Sequence, residues 1–160
     1  MNEKVFIGIG SNIEPRLSYL NKAIERIGKN HEIMAIADFV ETEPWGFEAS
    51  TFFLNTVIEI KTTASPRELL IELQQIEIEL GRSTKSSNQS YTSRTIDLDI
   101  LYFNREILIS PELIIPHPEI HKRLFVLEPL RQIAPNFQDP KNLRLVKEMY
   151  ETLIEISEEK

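Results

Sequence analysis

Two aspartates near the middle of the chain carry the clearest chemical signal in the sequence. Asp97 and Asp99 alternate with Ile96, Leu98 and Ile100. This alternation predicts a β-strand whose successive side chains point to opposite faces, so both carboxylates lie on one face about 7 Å apart. Two carboxylates at that separation favour a divalent metal ion that also binds phosphates. The alternative is a half-exposed strand with a polar face and no metal.

Two arginines, Arg82 and Arg94, bracket a stretch rich in Ser, Thr and Asn that has no hydrophobic periodicity. A structureless connection of about this length usually has a functional reason. Guanidinium groups stay charged and bind phosphate oxygens in a bidentate geometry. Either arginine could instead neutralise the aspartates or lie in solvent. Together with Asp97 and Asp99, the arginines indicate phosphoryl transfer, which depends on alignment and on charge neutralisation.

A histidine held between two prolines, His117, is a second candidate for contacting phosphate, together with Arg123 further along the chain. A lone histidine can also be purely structural. The chain has no glycine-rich loop ending in Lys-Ser or Lys-Thr, so a P-loop enzyme is excluded.

A second group of residues is suited to a flat heterocycle. Phe53 and Asn55 share one face of a predicted strand, where an aromatic ring can stack on the heterocycle and the amide can bind its edge. Trp45 lies in a loop marked by Pro and Gly, and we expect this loop to cover a site. The aromatic residues, including Phe125, could also be ordinary core residues.

Composition limits the classes of protein that this chain can belong to. Its 160 residues include no cysteine and give a formal net charge of −7. Thiolate metal sites and disulfides are therefore excluded, and the negative charge argues against binding to nucleic acid or to anionic membrane surfaces. We expect residues 1–160 to form a single domain located in the cytoplasm.

The hydrophobic pattern predicts the order β-α-β-β-α-β followed by two further helices. The predicted strands are 4–9, 33–42, 51–62 and 94–103, and the predicted helices are 15–28, 66–81, 123–133 and 145–156. Pro129 should kink or split its helix, residues 105–109 should pair back onto the preceding strand, and His31 and His121 should lie on the surface. This order predicts an α+β fold, a ferredoxin-like antiparallel sheet with helices packed on it.

The ordered set of motifs resembles the 6-hydroxymethyl-7,8-dihydropterin pyrophosphokinase family of folate biosynthesis. The resemblance covers nearly the whole chain. Its segments are Gly8-Ile9-Gly10-Ser11-Asn12, Thr42, Asn55, Gln74-Gln75-Ile76-Glu77, Gly81-Arg82, Arg94-Thr95-Ile96-Asp97-Leu98-Asp99-Ile100, Pro116-His117-Pro118, Arg123-Leu124-Phe125-Val126-Leu127-Glu128-Pro129-Leu130 and Ile133-Ala134-Pro135.

The resemblance implies transfer of a pyrophosphoryl group from ATP to the hydroxymethyl oxygen of the pterin, which leaves AMP. It implies that Asp97 and Asp99 bind two Mg²⁺ ions and that Arg82 and Arg94 act in catalysis. The implied ATP-binding residues are Gln74, Glu77, Ile100, His117 and Arg123. The expected pterin-binding residues are Gly10, Thr42, Trp45, Phe53, Asn55 and Phe125.

The expected partners are ATP and the hydroxymethyl-dihydropterin, with no nucleic acid and no membrane, and we expect a monomer. The alternative function is a non-catalytic ferredoxin-like module that binds a small metabolite and regulates another protein. Such a module needs neither the acidic pair nor the loop arginines.

Overall fold

An antiparallel sheet built around the first strand organises the protein. The computed structural model describes residues 2–42, 52–81 and 96–158. In this part of the chain the strands of the main sheet are β1 (Asn2–Ser11), β2 (Glu32–Ile36), β3 (Val40–Thr42), β4 (Phe53–Thr62) and β5 (Asp97–Phe103). Their spatial order is β2-β4-β1-β5, and β3 also pairs with β4. Every pair is antiparallel, so the predicted α+β sheet with packed helices is confirmed.

Helices cover both faces of this sheet because its central strands are apolar on both sides. The first face packs against α1 (Arg16–Asn30) and α2 (Pro66–Glu79), and the second against α3 (Leu124–Ile133) and α4 (Val146–Glu158). On β1, Ile7 points to the first core and its neighbour Phe6 to the second, as the period of a strand requires. None of the helices in the described ranges is long and apolar enough to cross a membrane.

The start of α2 agrees with the helix predicted from residue 66. The Ser65 hydroxyl accepts a hydrogen bond from the Glu68 backbone N–H at 3.2 Å, and the Glu68 carboxylate accepts one from the Ser65 N–H at 2.8 Å. This is a capping box with Pro66 at the first helical position. It satisfies two backbone donors that the helix leaves unpaired, which fixes where α2 begins.

Two predicted segments differ from the structure in their strand pairing. The single strand expected over 33–42 is two strands, because the chain leaves the ladder after Ile36 and pairs with β4 again from Val40. Residues 105–109 do not pair back onto β5. Asn104 instead adopts a left-handed turn with φ 54°, and β6 (Leu108–Ile109) then pairs with β7 (Ile114–Ile115).

Two further predictions concern the single residues His31 and Pro129. His31 is not a surface residue: its side chain is 4% exposed, and its ring nitrogens lie 2.6 Å from Thr62 Oγ1 and 2.7 Å from Glu72 Oε1. It therefore joins the end of α1 to β4 and α2. Pro129 does not split its helix, since α3 continues through it to Ile133.

Candidate active site

The register of the sheet places the candidate metal residues beside the candidate heterocycle residues. Gly10 on β1 is opposite Asn55 on β4 and also opposite Asp97 on β5, and Gly8 is opposite Asp99. Residues opposite each other in an antiparallel pair point to the same face, and neighbouring strands are about 4.8 Å apart. Asn55 and Asp97 therefore flank Gly10 on one face, with their backbones about 10 Å apart.

Gly10 leaves room for the Asn55 side chain. Asn55 is 6% exposed, and its Nδ2 donates a hydrogen bond to Thr42 Oγ1 at 3.1 Å. A Cβ atom placed on Gly10 would lie 2.5 Å from Asn55 Oδ1, which is far inside van der Waals contact. Phe53 pairs with Thr42 across the β3–β4 ladder. The structure thus brings together four of the predicted pterin residues at one end of three strands.

Arg123 directly precedes α3 and Phe125 lies in its first turn, and α3 packs against β3 and β4. The Arg123 guanidinium carbon lies 5.5 Å from the centre of the Phe125 ring, within the range of a cation–π interaction. This contact joins a predicted phosphate-binding residue to a predicted pterin-binding residue. One member of each predicted group therefore lies at the start of α3.

Strand β5, which carries Asp97 and Asp99, has the alternation of buried and exposed side chains that its sequence predicts. Ile96, Leu98 and Ile100 are buried in the core against α1 and α2, whereas Asp97 is half-buried and Asp99 is exposed. The apolar residues anchor β5, so the two carboxylates project together from the opposite face. Asp97 and Asp99 supply hard oxygen ligands, which Mg²⁺ prefers in combination with water and substrate phosphates.

Glu77 supports this strand from α2. Its Oε2 accepts a hydrogen bond at 2.8 Å from the backbone N–H of Leu98, the residue between the two aspartates. Gln74, one turn earlier on α2, is exposed. Ile100 is buried by its side chain, so only its backbone is available to a nucleotide. Of the residues expected near ATP, Glu77 therefore holds β5 in place.

His117 lies next to β5, and a hydrogen bond to its ring defines the tautomer. Its backbone N–H donates to Leu101 O at 3.0 Å, and its Nδ1 accepts a hydrogen bond from the Glu119 backbone N–H at 3.1 Å. A ring that accepts at Nδ1 carries its proton on Nε2. Burial lowers the pKa of His117 and Arg123 lowers it further, although the Asp99 carboxylate acts in the opposite direction. The neutral ring can therefore donate from Nε2 to an anion.

Three predicted residues, Trp45, Arg82 and Arg94, lie outside the described residues, and their roles stay predictions. In ranges 2–42, 52–81 and 96–158 no cluster of three or more His, Asp or Glu side chains is placed to hold a metal ion. Sequence reasoning missed Arg16, which binds Glu41 and the Phe52 carbonyl next to the predicted pterin residues Thr42 and Phe53. Because these partners are distant in the chain, no local pattern marks this contact.

The sequence is similar to one described protein family and to enzymes from several organisms. The family described as "7,8-dihydro-6-hydroxymethylpterin-pyrophosphokinase (HPPK)" matches residues 6–135. The 2-amino-4-hydroxy-6-hydroxymethyldihydropteridine pyrophosphokinase of Bacillus subtilis (strain 168) is 44% identical over 136 residues, which cover 84% of this chain and 80% of the relative. The enzyme of the same name from Aquifex aeolicus (strain VF5) is 39% identical over 144 residues, covering 90% and 88%.

Solved structures support the fold. A crystal structure of HPPK-DHPS in complex with substrates has a TM-score of 0.80 at 16% identity, and it covers 100% of this chain but 45% of its own. Plasmodium falciparum HPPK-DHPS with pteroate has a TM-score of 0.79 at 13% identity, and this chain spans 44% of its length. At these identities the likeness establishes the fold alone. With the family match over residues 6–135 and relatives at 39–44% identity, the chain belongs to the 7,8-dihydro-6-hydroxymethylpterin-pyrophosphokinase family.

Proposed function

We propose that this chain transfers a pyrophosphoryl group from ATP to the hydroxymethyl oxygen of 6-hydroxymethyl-7,8-dihydropterin, in folate biosynthesis. Family membership supports the pterin pyrophosphokinase activity. The observation that carries the proposal is the strand register, which puts Asn55 and the Asp97–Asp99 pair on one face, on either side of Gly10. This spacing suits an acceptor whose ring lies over β4 and whose hydroxymethyl group points to β5.

The residues proposed to bind the pterin recognise the polar edge of its ring and stack on the faces of the ring. The Asn55 amide, already oriented by Thr42, would bind the polar edge of the ring. Phe53 and Phe125 would stack on its faces, and Trp45 would cover it. Since burial holds Asn55 in one orientation, little ordering is left for the moment of binding.

The residues proposed to bind ATP are cationic and neutral hydrogen-bond donors around β5. Asp97 and Asp99 would hold two Mg²⁺ ions, while Glu77 fixes the backbone between them. When bound, Mg²⁺ neutralises phosphate charge and aligns the reacting oxygens. His117 would donate from Nε2 to a phosphate oxygen, and Arg123, Arg82 and Arg94 would supply positive charge. Gln74 and the backbone of Ile100 would contact the nucleotide.

The proposed reaction balances without a further co-reactant. The hydroxymethyl oxygen bonds to the β-phosphorus of ATP, and the bond from that phosphorus to the oxygen bridging the α-phosphorus breaks. AMP leaves with that oxygen, and the hydroxyl proton is released. We place the whole reaction in one domain formed by residues 1–160, and a cytoplasmic monomer stays a prediction.

Product analysis tests this proposal. Incubation with ATP, Mg²⁺ and the hydroxymethyl-dihydropterin should give AMP and pterin diphosphate in equal amounts. Formation of ADP would contradict pyrophosphoryl transfer. Binding of the pterin without turnover would contradict it as well and would favour the non-catalytic metabolite-binding module.

Substitution of the acidic pair tests the metal role. We expect Asp97→Ala and Asp99→Ala each to lower turnover by about a hundredfold or more, because each removes a metal ligand. Neither change should destabilise the fold, since each also relieves repulsion between like charges. Glu151→Ala, which removes an exposed carboxylate on α4, is the matched control. Full activity in either aspartate variant would refute the metal role.

A further inference from the structure

Arg16, the first residue of α1, links that helix to the two strands that carry Thr42 and Phe53. Its Nη1 donates to the Phe52 carbonyl oxygen at 2.8 Å and lies 2.7 Å from Glu41 Oε2. A second carboxylate oxygen, Glu14 Oε2, lies 3.0 Å from its Nε. The Arg16 side chain is 18% exposed, so the guanidinium group is largely enclosed by these contacts.

One nitrogen of Arg16 thus binds two chain segments at the same point. The Nη1 atom carries two hydrogens, so it can donate to Glu41 and to the Phe52 carbonyl simultaneously. Glu41 directly precedes Thr42, and Phe52 directly precedes Phe53. Thr42 and Phe53 are paired in the β3–β4 register. Arg16 therefore joins the two chain segments at the end of this strand pair.

The ladder needs such support because β3 has only three residues, Val40–Thr42. Strands this short hold few backbone hydrogen bonds of their own. At the other end, the Asp38 backbone N–H donates to Gln132 Oε1 of α3 at 2.8 Å. Arg16 therefore joins the end of β3 to the start of β4, and Gln132 joins the segment before β3 to α3.

We propose that Arg16 is a positioning residue for the pterin, acting through Thr42 and Phe53. This inference rests on the proposed function. The Thr42 hydroxyl accepts the hydrogen bond that orients the Asn55 amide, so displacement of Thr42 releases this amide as well. Arg16 thereby positions Thr42, Phe53 and the Asn55 amide for the pterin. Arg16 itself does not contact the pterin. The nucleotide side of the site lies on β5 and does not depend on this contact.

Steady-state kinetics separates this role from general stability. We expect Arg16→Met to raise the KM for the pterin about tenfold, with the KM for ATP changed less than about twofold. Arg16→Lys keeps a cation with several donors, so it should recover most of the affinity for the pterin. Arg26→Met is the matched control, because Arg26 lies on the same helix and pairs with Glu79 of α2, away from β3. An equal rise in both KM values, or no difference between Arg16→Met and Arg26→Met, would overturn the proposal.

Hydrogen exchange gives a readout that does not depend on turnover. In the Arg16→Met protein, amides of Val40–Thr42 should exchange at least about tenfold faster, whereas those of β5 should keep the wild-type rate. Unchanged exchange in β3 would also overturn the inference. If the wild-type protein binds the pterin without producing AMP, the proposed function fails, while calorimetric pterin affinity and exchange still decide the role of Arg16.

A milder variant covers the case in which Arg16→Met does not fold. Glu41→Gln keeps the size of the side chain and removes the charge that faces Nη1. It should raise the KM for the pterin about threefold and leave the KM for ATP unchanged. A KM for the pterin equal to that of the wild type would then overturn the proposal.

Discussion

Replacing Gly10 with alanine adds one methyl group at the centre of the proposed pterin site. The added carbon would lie 2.5 Å from Asn55 Oδ1, whereas ordinary contacts begin near 3.4 Å. The amide must therefore move by roughly 1 Å, as overpacked side chains do. A movement of this size breaks the 3.1 Å hydrogen bond from Asn55 Nδ2 to Thr42 Oγ1.

The expected effect combines overpacking with the loss of one hydrogen bond. Overpacking of a buried site costs about 1–3 kcal/mol, and a buried hydrogen bond contributes about 0.5–1.5 kcal/mol. We therefore expect Gly10→Ala to lower the free energy of unfolding by about 3 kcal/mol. Because the Asn55 amide would no longer face the pterin edge, affinity for the pterin should fall at least about tenfold.

Gly8→Ala is a closely matched control. Gly8 lies two residues away on the same strand and the same face, but a Cβ there would meet Leu101 Cδ2 at 3.5 Å, an ordinary contact. Calorimetric titration with the pterin and urea unfolding should place Gly8→Ala near the wild type. Equal pterin affinities in the Gly8→Ala and Gly10→Ala proteins would refute the assignment of Asn55.

Three other predictions test separate parts of the structure. Tyr102→Phe removes the buried hydrogen bond from the Tyr102 hydroxyl to Asp139 Oδ2 at 2.5 Å, so urea unfolding should show a loss of about 1–3 kcal/mol. Burial raises the pKa of Tyr102 far above its usual value of about 10. The free energy of unfolding should therefore fall as the pH rises above 10, because the unfolded tyrosine loses its proton first. Tyr102→Phe should remove the contribution of Tyr102 to this fall. Nitrogen NMR of His117 should report the neutral Nε2–H tautomer at pH 7 and a pKa below about 6.5, and a charged ring at pH 7 would contradict the site geometry. Ser65→Ala should destabilise the protein by about 1 kcal/mol through loss of the capping box, without changing either KM.

The parts of the fold that depend on local patterns were predictable from the sequence. The alternation around Asp97 and Asp99 placed both carboxylates on one face, because a strand has a period of two. The helix predicted from residue 66 begins where α2 does, because the capping box of Ser65 and Glu68 is complete within four residues. These signals involve neighbours in the chain, so sequence alone was sufficient to read them.

The parts that depend on tertiary contacts were not predictable in this way. His31 has an ordinary surface sequence, and it is buried only because Thr62 and Glu72 come from other elements. Arg16 likewise acquires its role from Glu41 and Phe52, which lie on either side of the β3–β4 connection. The pairing of β6 with β7 follows from the turn at Asn104, which the apolar run after it does not indicate.

Transfer of both terminal phosphoryl groups of ATP in one step is the central claim, and isotopic labelling tests it most directly. ATP labelled with phosphorus isotopes at the β and γ positions, supplied with Mg²⁺ and the hydroxymethyl-dihydropterin, should yield a pterin diphosphate that carries both labels, together with unlabelled AMP in equal amount. A pterin monophosphate that carries only the γ label, with labelled ADP as the other product, would contradict the account.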